Sequence, residues 1–214
     1  MIKNYTKHGF LFSMLLIFSV PIFATQDNWY LEKEEDNIQV FVSKTKGSPL
    51  KSFRGVVTVD SSVNSVLSVI ADTSSYPRWV HNCKSAKTIK RVSETEIYNH
   101  IVTDMPWPVI DRDSVVQSVK TQNKTSNQIT ITFVSKPAMI EKLPKTVRIT
   151  KMQGLWELTP LQNGKLKILY QMSVDPGGNI PKWLVNSLAV DIPYHTLNNL
   201  RRIAKEDKYK KASK

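Results

Sequence analysis

The side chains that most often perform catalysis are sparse in this sequence. Its 214 residues include histidines at positions 8, 81, 100 and 195 and one cysteine, Cys83. No His-x-x-x-His or Glu-x-x-His pair provides the spacing of metal ligands, and Cys83 has no Cys-x-x-Cys partner. The sequence also lacks a Gly-x-Ser-x-Gly nucleophile elbow and a phosphate-binding glycine loop. We therefore predict no catalytic residue, no metal and no other cofactor.

Two of these side chains have simpler structural interpretations. His195 follows Tyr194 in an apolar helical pattern, and we expect it on the helix surface or in packing rather than as a base. Cys83 has no second cysteine with which to form an internal disulfide. We expect it to be a buried small hydrophobic residue.

Arg112 and Asp113 form the adjacent charged pair of greatest chemical interest. Neighbouring residues of a strand point to opposite faces of a sheet, so these two cannot pair with each other. One interpretation is an ion pair that ties the loop 106–111, "PWPVID", to the sheet or to a helix. The other is that Arg112 contacts a ligand.

Trp107 lies between Pro106 and Pro108, which restrict the loop and hold the indole in place. It could contact an apolar ligand or a membrane, or it could cap the edge of a sheet.

Seven segments alternate apolar and polar residues with the period of half-buried strands. The clearest, "GKLKILYQMSV", follows the hairpin signal Asn163-Gly164. The others are "NIQVFVSK", "LKSFRGVVTVD", "EIYNHIVTDM", "RDSVVQSVK", "NQITITFVSK" and "VRITKMQGLWELTP".

Two segments have helical periodicity, at residues 61–72 and 181–206. The turn "DPGGNIP" precedes the second, and Pro193 within it predicts a kink. The charged end "KEDKYKKASK" is expected to fray. These elements predict an α+β fold, in which an antiparallel sheet curls around a long C-terminal helix and leaves a cavity.

Residues 1–24 have the pattern of a secretory signal peptide: Lys3 and Lys7, an apolar run, and the small residue Ala24. We predict cleavage after Ala24 and a periplasmic or secreted protein. The alternative is an uncleaved anchor, because Ile22 fits the −3 position of a cleavage site less well than alanine. The remaining chain divides into a domain at 25–207 and a basic tail at 208–214.

The chain is strongly basic, with a formal charge of +12. Without residues 1–24 it has 28 basic and 18 acidic residues. This surplus favours transient contact with anionic lipid headgroups, although a generally basic, soluble surface explains it equally well. An exported protein seldom meets nucleic acid, so we expect no such partner. We expect a monomer.

Four motifs in order resemble START lipid-transfer domains, which are helix-grip members of the Bet v 1-like superfamily. They are "SYPRWVHNCKSA" (75–86), "MPWPVIDRDSVV" (105–116), "GLWELTPL" (154–161) and "DPGGNIPKWLVN" (175–186). The resemblance covers about residues 28–207. It implies a curved antiparallel β-sheet that is wrapped around a long C-terminal α-helix and encloses a hydrophobic tunnel for one lipid.

The resemblance also suggests which residues contact a ligand. Trp183 and Leu184 would help to close the tunnel mouth. Some sterol-binding relatives have a buried basic residue further along the strand of Arg112, but Ser118 lies near that place here. The full set of predicted tunnel residues is Met105, Trp107, Arg112, Val116, Ser118, Ile168, Tyr170, Met172, Trp183, Leu184 and Leu188.

The resulting hypothesis is a non-enzymatic protein that holds one hydrophobic ligand, a phospholipid, fatty acyl or sterol-like molecule. The alternatives are a cavity enzyme of the cyclase type and a periplasmic interaction module whose cavity is filled by its own side chains. A cavity below about 300 Å³ would favour the filled module. The sequence does not identify the ligand.

Overall fold

A computed structural model describes residues 28–43 and 51–210. The predicted signal peptide at 1–24 and the last four residues of the basic tail lie outside these ranges.

The described part of the chain forms one sheet of ten strands with helices on one side. The strands are β1 (Trp29–Glu35), β2 (Ile38–Ser43), β3 (Lys51–Val59), β4 (Cys83–Arg91), β5 (Glu96–Thr103), β6 (Arg112–Gln122), β7 (Ile129–Ser135), β8 (Val147–Arg148), β9 (Lys151–Pro160) and β10 (Leu166–Asp175). The helices are α1 (Val63–Ala71), α2 (Tyr76–Trp79), α3 (Lys182–Ile203) and α4 (Asp207–Lys210), with a 3₁₀ turn at Thr73–Ser75.

The order of the strands explains how the sheet surrounds the helix. It runs β1-β2-β3-β10-β9-β7-β6-β5-β4, and all of these neighbours are antiparallel. The short β8 pairs with β6 in parallel. The predicted α+β helix-grip architecture is confirmed: a mostly antiparallel curved sheet holds the C-terminal helix α3.

Helix α3 packs closely on the sheet because one strand residue has no side chain. α3 remains helical through Pro193. A Cβ atom placed on Gly55 of β3 would lie 2.6 Å from Leu197 Cδ1 and 3.1 Å from Pro193 Cβ. The helix therefore depends on glycine at this crossing.

Replacing Gly55 with alanine should lower the free energy of unfolding by about 1–3 kcal/mol, because the buried Leu197 must shift to admit a methyl group. Urea denaturation would measure it. Thr58→Ala, at an exposed position of the same strand, should change stability by less than about 0.5 kcal/mol. Equal stability of Gly55→Ala and the unmodified protein would contradict the close packing.

The expected fraying of the C-terminal segment is wrong for its described part. Residues 207–210 form α4, and the Tyr209 side chain is buried with its hydroxyl donating to Asp72 Oδ2 at 2.9 Å. Lys208 also bonds the Asp72 carboxylate. This carboxylate anchors the segment to the end of α1 because it accepts from both side chains.

Candidate ligand cavity

A cavity of about 290 Å³ lies between the concave face of the sheet and helices α1 and α3. The helix α3 turns one face toward it, formed by Val185, Leu188, Ala189 and Ile192. These positions are spaced as i, i+3, i+4 and i+7, which places them on one side of a helix. The walls are mainly apolar, so the cavity suits a hydrophobic ligand.

The cavity follows two neighbouring strands for most of their length. Alternate residues of a strand share a face, and those of β5 and β6 line the cavity from end to end. The eight residue steps of β6 that it covers span about 27 Å at ~3.4 Å per residue. These lining residues are Ile97, Asn99, Ile101 and Thr103 on β5, with Thr95 just before it, and Arg112, Ser114, Val116, Ser118 and Lys120 on β6.

Aromatic side chains form the wall opposite these strands. Trp156 and Tyr170 stack with ring centroids 3.9 Å apart, and Phe53 meets Tyr170 edge-on at 5.1 Å. Trp79 contacts Trp156 at 6.0 Å. Burial raises the pKa of the Tyr170 phenol, so it stays neutral. This packed aromatic cluster gives the cavity a rigid apolar wall.

Arg112 lies at one end of the cavity, where β6 begins. Its guanidinium donates to the carbonyl oxygens of Pro176 at 3.2 Å and Gly177 at 2.8 Å, and to that of Ile110. The hydrogen-bond acceptors of Arg112 are therefore neutral backbone groups, and among the described residues only Asp113 of this adjacent pair forms an ion pair, with Arg148. The bonds of Arg112 join the loop before β6 to the turn before α3.

Asp113 points to the other face, as the strand alternation predicts. Its side chain is 0% exposed and accepts from Arg148 Nη2 at 2.7 Å, His100 Nε2 at 3.1 Å and Thr146 Oγ1 at 3.0 Å. Burial alone would raise the pKa of this carboxyl, but the hydrogen bonds from Arg148 and His100 outweigh it and lower the pKa to about 2. The ion pair of Asp113 with Arg148 anchors β6 to the segment before β9.

Asn99 is a polar wall residue that the sequence analysis missed. Its side chain is 2% exposed, and its Oδ1 accepts from Thr88 Oγ1 at 2.9 Å and Thr73 Oγ1 at 3.2 Å. Among the described residues, none accepts from its amide group, and the residue lines the cavity. The signal was present in the sequence, since Asn99 interrupts the apolar face of Ile97 and Ile101.

The predicted tunnel residues separate into two groups. Those that line the cavity are Met105, Arg112, Val116, Ser118, Tyr170, Met172 and Leu188. Their contact with a ligand remains a prediction.

The other four, Trp107, Ile168, Trp183 and Leu184, lie outside the lining, and their contact with a ligand also remains a prediction. Ile168 lies on β10 two residues before Tyr170. It packs in the hydrophobic core, where its neighbours on the adjacent strands are Val57 and Leu158. Leu184 is buried, but it lies one residue before Val185, which is the first residue of α3 that lines the cavity.

Trp107 and Trp183 are solvent-exposed, at 92% and 69%. They lie outside because the loop before β6 and the first turn of α3 turn these indoles away from the cavity.

The volume lies just below the limit of about 300 Å³ at which a carrier and a filled module were expected to separate. By that limit the volume is on the side of the filled module, and support for a carrier comes from the length and apolar lining of the cavity.

The stacked pair His81 and His195 joins the segment after α2 to helix α3. The ring centroids are 4.6 Å apart, and the His81 backbone N–H donates to Thr196 Oγ1 at 3.1 Å. Burial lowers the pKa of His81, the neighbouring His195 lowers it further, and Asp191 partly opposes both. His195 thus packs against another ring, in agreement with its predicted structural role. Cys83 is buried as predicted, and burial raises the pKa of its thiol to about 11.

His81 should make the fold less stable in mild acid. Its pKa in the folded protein lies below the ordinary 6.5, so the unfolded chain binds this proton first as the pH falls below 6.5. The stability present above that pH is then lost on acidification. NMR titration should give a His81 pKa below 6.5, and His195→Gln should raise it. A value of 6.5 or above in the unmodified protein would contradict this.

Two features are absent from residues 28–43 and 51–210. No cluster of three or more His, Cys, Asp or Glu side chains there could hold a metal ion. Within the same ranges, no helix has both the length and the apolar character needed to cross a bilayer.

The family model and a solved structure point to one family. Residues 17–208 match the family model of the START domain. The protein PA1579 of Pseudomonas aeruginosa is 33% identical over 190 residues, which are 89% of this chain and 93% of that protein. A crystal structure of a STAR-related lipid transfer protein from Xanthomonas axonopodis, fragment 25–204, is 32% identical. That match covers 84% of this chain and 100% of the other, with a TM-score of 0.78.

A more distant likeness concerns the predicted enzyme alternative. The Zhui aromatase/cyclase of Streptomyces sp. R1128 is 11% identical, with a TM-score of 0.51 over 73% of this chain and 94% of that enzyme. At this identity the likeness shows the fold alone.

Proposed function

The chain belongs to the START domain family, and from that premise we propose that it binds one hydrophobic ligand and carries it between membranes. Family membership and the likeness to a lipid transfer protein support lipid binding in general. The observation that carries the proposal is the apolar cavity that runs along β5 and β6 and is covered by α3.

Energetics allow the cavity to exchange a lipid with a bilayer. Burying an acyl chain of about fifteen methylenes is worth on the order of 12 kcal/mol, at ~0.8 kcal/mol per methylene. A bilayer offers a similar amount, so extraction is close to balanced. The volume of about 290 Å³ is small, which favours a single chain or an outward movement of α3 for a larger lipid.

Native mass spectrometry of residues 25–214, prepared without detergent, tests the proposal. A discrete added mass that organic extraction identifies as a lipid would support it. An unliganded mass that persists after incubation with phospholipid and sterol vesicles would overturn it in favour of the filled-cavity module. The same spectrum reports whether the protein is a monomer, as we propose.

We further propose that the protein docks on an anionic membrane next to the Arg112 end of the cavity. The exposed apolar residues Trp107, Ile110 and Trp183 lie on the two segments that Arg112 joins, the loop before β6 and the region that begins α3. The net positive charge of the chain favours contact with an anionic membrane in general.

Trp107→Ser should weaken binding to vesicles that contain anionic phospholipid by about tenfold, because it removes a large indole from the contact. Vesicle co-sedimentation would measure this. Val92→Ser, on the exposed turn between β4 and β5, is the matched control and should bind normally. Equal binding by both variants would place the contact elsewhere.

We also propose that the mature protein is periplasmic or secreted, with residues 1–24 as a cleaved signal peptide. The support is the positive and apolar sequence that ends at Ala24. N-terminal sequencing of the protein from an extracytoplasmic fraction tests it: a first residue of Thr25 supports cleavage, and retention of Met1 contradicts it.

A further inference from the structure

We propose that Arg112 binds the anionic head of a single-chain amphiphile, a carboxylate or a phosphate monoester, whose tail runs along β5 and β6. This inference rests on the proposed function and specifies the chemistry of its ligand.

The position of Arg112 suits a headgroup site. The residue is 2% exposed yet lines the cavity at the first position of β6. Three of the five guanidinium N–H groups meet the carbonyl oxygens of Ile110, Pro176 and Gly177. Two donors therefore remain for a ligand, and the three bonds hold the planar group in a fixed orientation.

Arg112 makes no direct ion pair among the described residues, and only Asp111 attracts its charge at longer range. No carboxylate there lies within 4.0 Å of its guanidinium nitrogens. The neighbouring Asp111 is bound by Lys84 Nζ at 2.7 Å, and Asp113 is on the opposite face, paired with Arg148.

A buried cation held only by neutral carbonyls is unfavourable compared with one that meets an anion. Burial lowers the pKa of Arg112, but a guanidinium remains protonated in proteins. A carboxylate or phosphate oxygen at this end would receive charge-assisted hydrogen bonds. This geometry therefore favours an anionic ligand over a neutral one of the same length.

The opposite end of the cavity is a weaker anion site. Arg91 and Lys120 line it, but Arg91 is exposed and Lys120 is half-buried, so water screens their charge. Glu94 lies in the same lining and opposes an anion. Arg112 and Lys120 are thus two cationic wall residues on one face of one strand, at opposite ends of the cavity.

The shape of the cavity favours one chain. Its lining extends about 27 Å along β6, enough for an extended sixteen-carbon chain, while its volume is about 290 Å³. A long and narrow space holds a single alkyl chain more readily than a fused-ring system or two chains. The tail would pass between Val116 and the aromatic wall.

The test compares palmitate with methyl palmitate, which differ in charge but share one chain. Isothermal titration with the delipidated full-length mature protein should show that palmitate binds at least about tenfold more tightly. In Arg112→Gln the two affinities should become nearly equal. In Lys120→Gln, the matched control, the preference for palmitate should remain. Monohexadecyl phosphate should replace palmitate, whereas inorganic phosphate at the same concentration should not compete.

Loss of the turn contacts in Arg112→Gln does not obscure the result, because the ratio of two affinities in one variant is measured. Arg112→Lys, which retains the charge, should retain part of the preference. Carboxyl-labelled palmitate should also titrate at a lower pH when it is bound to the unmodified protein than when it is bound to Arg112→Gln.

Each contrary outcome is distinct. Equal binding of palmitate and methyl palmitate by the unmodified protein would overturn the headgroup assignment and leave the carrier function intact. Loss of the preference in Lys120→Gln alone would place the head at the other end. Competition by inorganic phosphate would show a site for free anions instead. Failure of every alkyl ligand to bind would overturn the proposed function itself.

Discussion

Replacing Asp113 with alanine should lower the free energy of unfolding by about 3–5 kcal/mol, because Arg148 is left buried without its anionic partner. Asp113 is fully buried and also accepts from His100 and Thr146. The strand would remain, but the segment before β9 would lose its anchor on β6. Urea denaturation followed by tryptophan fluorescence measures the effect.

The matched control is an aspartate whose side chain is exposed to solvent. Asp104 lies 3.7 Å from Lys84 in a solvent-exposed pair, so Asp104→Ala should change stability by less than about 1 kcal/mol. The double variant Asp113→Leu, Arg148→Met should recover much of the loss, since it removes both charges. If Asp113→Ala and Asp104→Ala destabilised the protein equally, the buried pair would have no special role.

Filling the cavity should abolish ligand binding while the fold persists. Ser118 lies on the cavity-facing side of β6, near its middle, so Ser118→Trp places an indole where the ligand chain would pass. Excluding only four methylenes at ~0.8 kcal/mol each weakens binding by more than about 100-fold. Fluorescence titration with a lipid probe measures this loss.

The neighbouring position provides the control for this experiment. Gln117 is on the opposite face of β6, where its amide donates to Glu96, so Gln117→Trp adds the same indole outside the cavity. This variant should bind the probe like the unmodified protein. Normal binding by Ser118→Trp would show that the ligand does not occupy this part of the cavity.

We therefore expect ligand binding and stability to depend on opposite faces of β6. Arg112, Val116 and Ser118 face the cavity, while Asp113 and Gln117 face outward. Variants of Ser118 should alter ligand affinity with small effects on unfolding, whereas variants of Arg112 also lose its bonds to the turn before α3. Those at Asp113 should show the reverse of the Ser118 effects, provided that the chain still folds.

The elements that the sequence by itself determined are those with one buried face. β3 and β10 alternate because one side packs on the core and the other is less buried, and α1 has an apolar stripe for the same reason. The two edge strands, β1 and β4, were not among the predicted strands. Most residues of both are exposed, so their sequences lack the alternation that marks a half-buried strand.

Only the tertiary structure decided which apolar residues line a cavity and which fill the core. Ile168, Tyr170 and Met172 share one face of β10 and all belong to the buried core, yet only Tyr170 and Met172 also line the cavity. The sequence pattern is the same for all three residues. Alternation shows that a strand face is buried, but it does not show whether that face meets other side chains or a cavity.

The chemistry of Arg112 was likewise decided by distant parts of the chain. Its charge and its place on β6 follow from the sequence, but its bonds to Pro176 and Gly177 arise because the turn before α3 folds back onto β6. Whether a buried charge has a counter-ion depends on every segment around it, and neighbours in space are not neighbours in sequence.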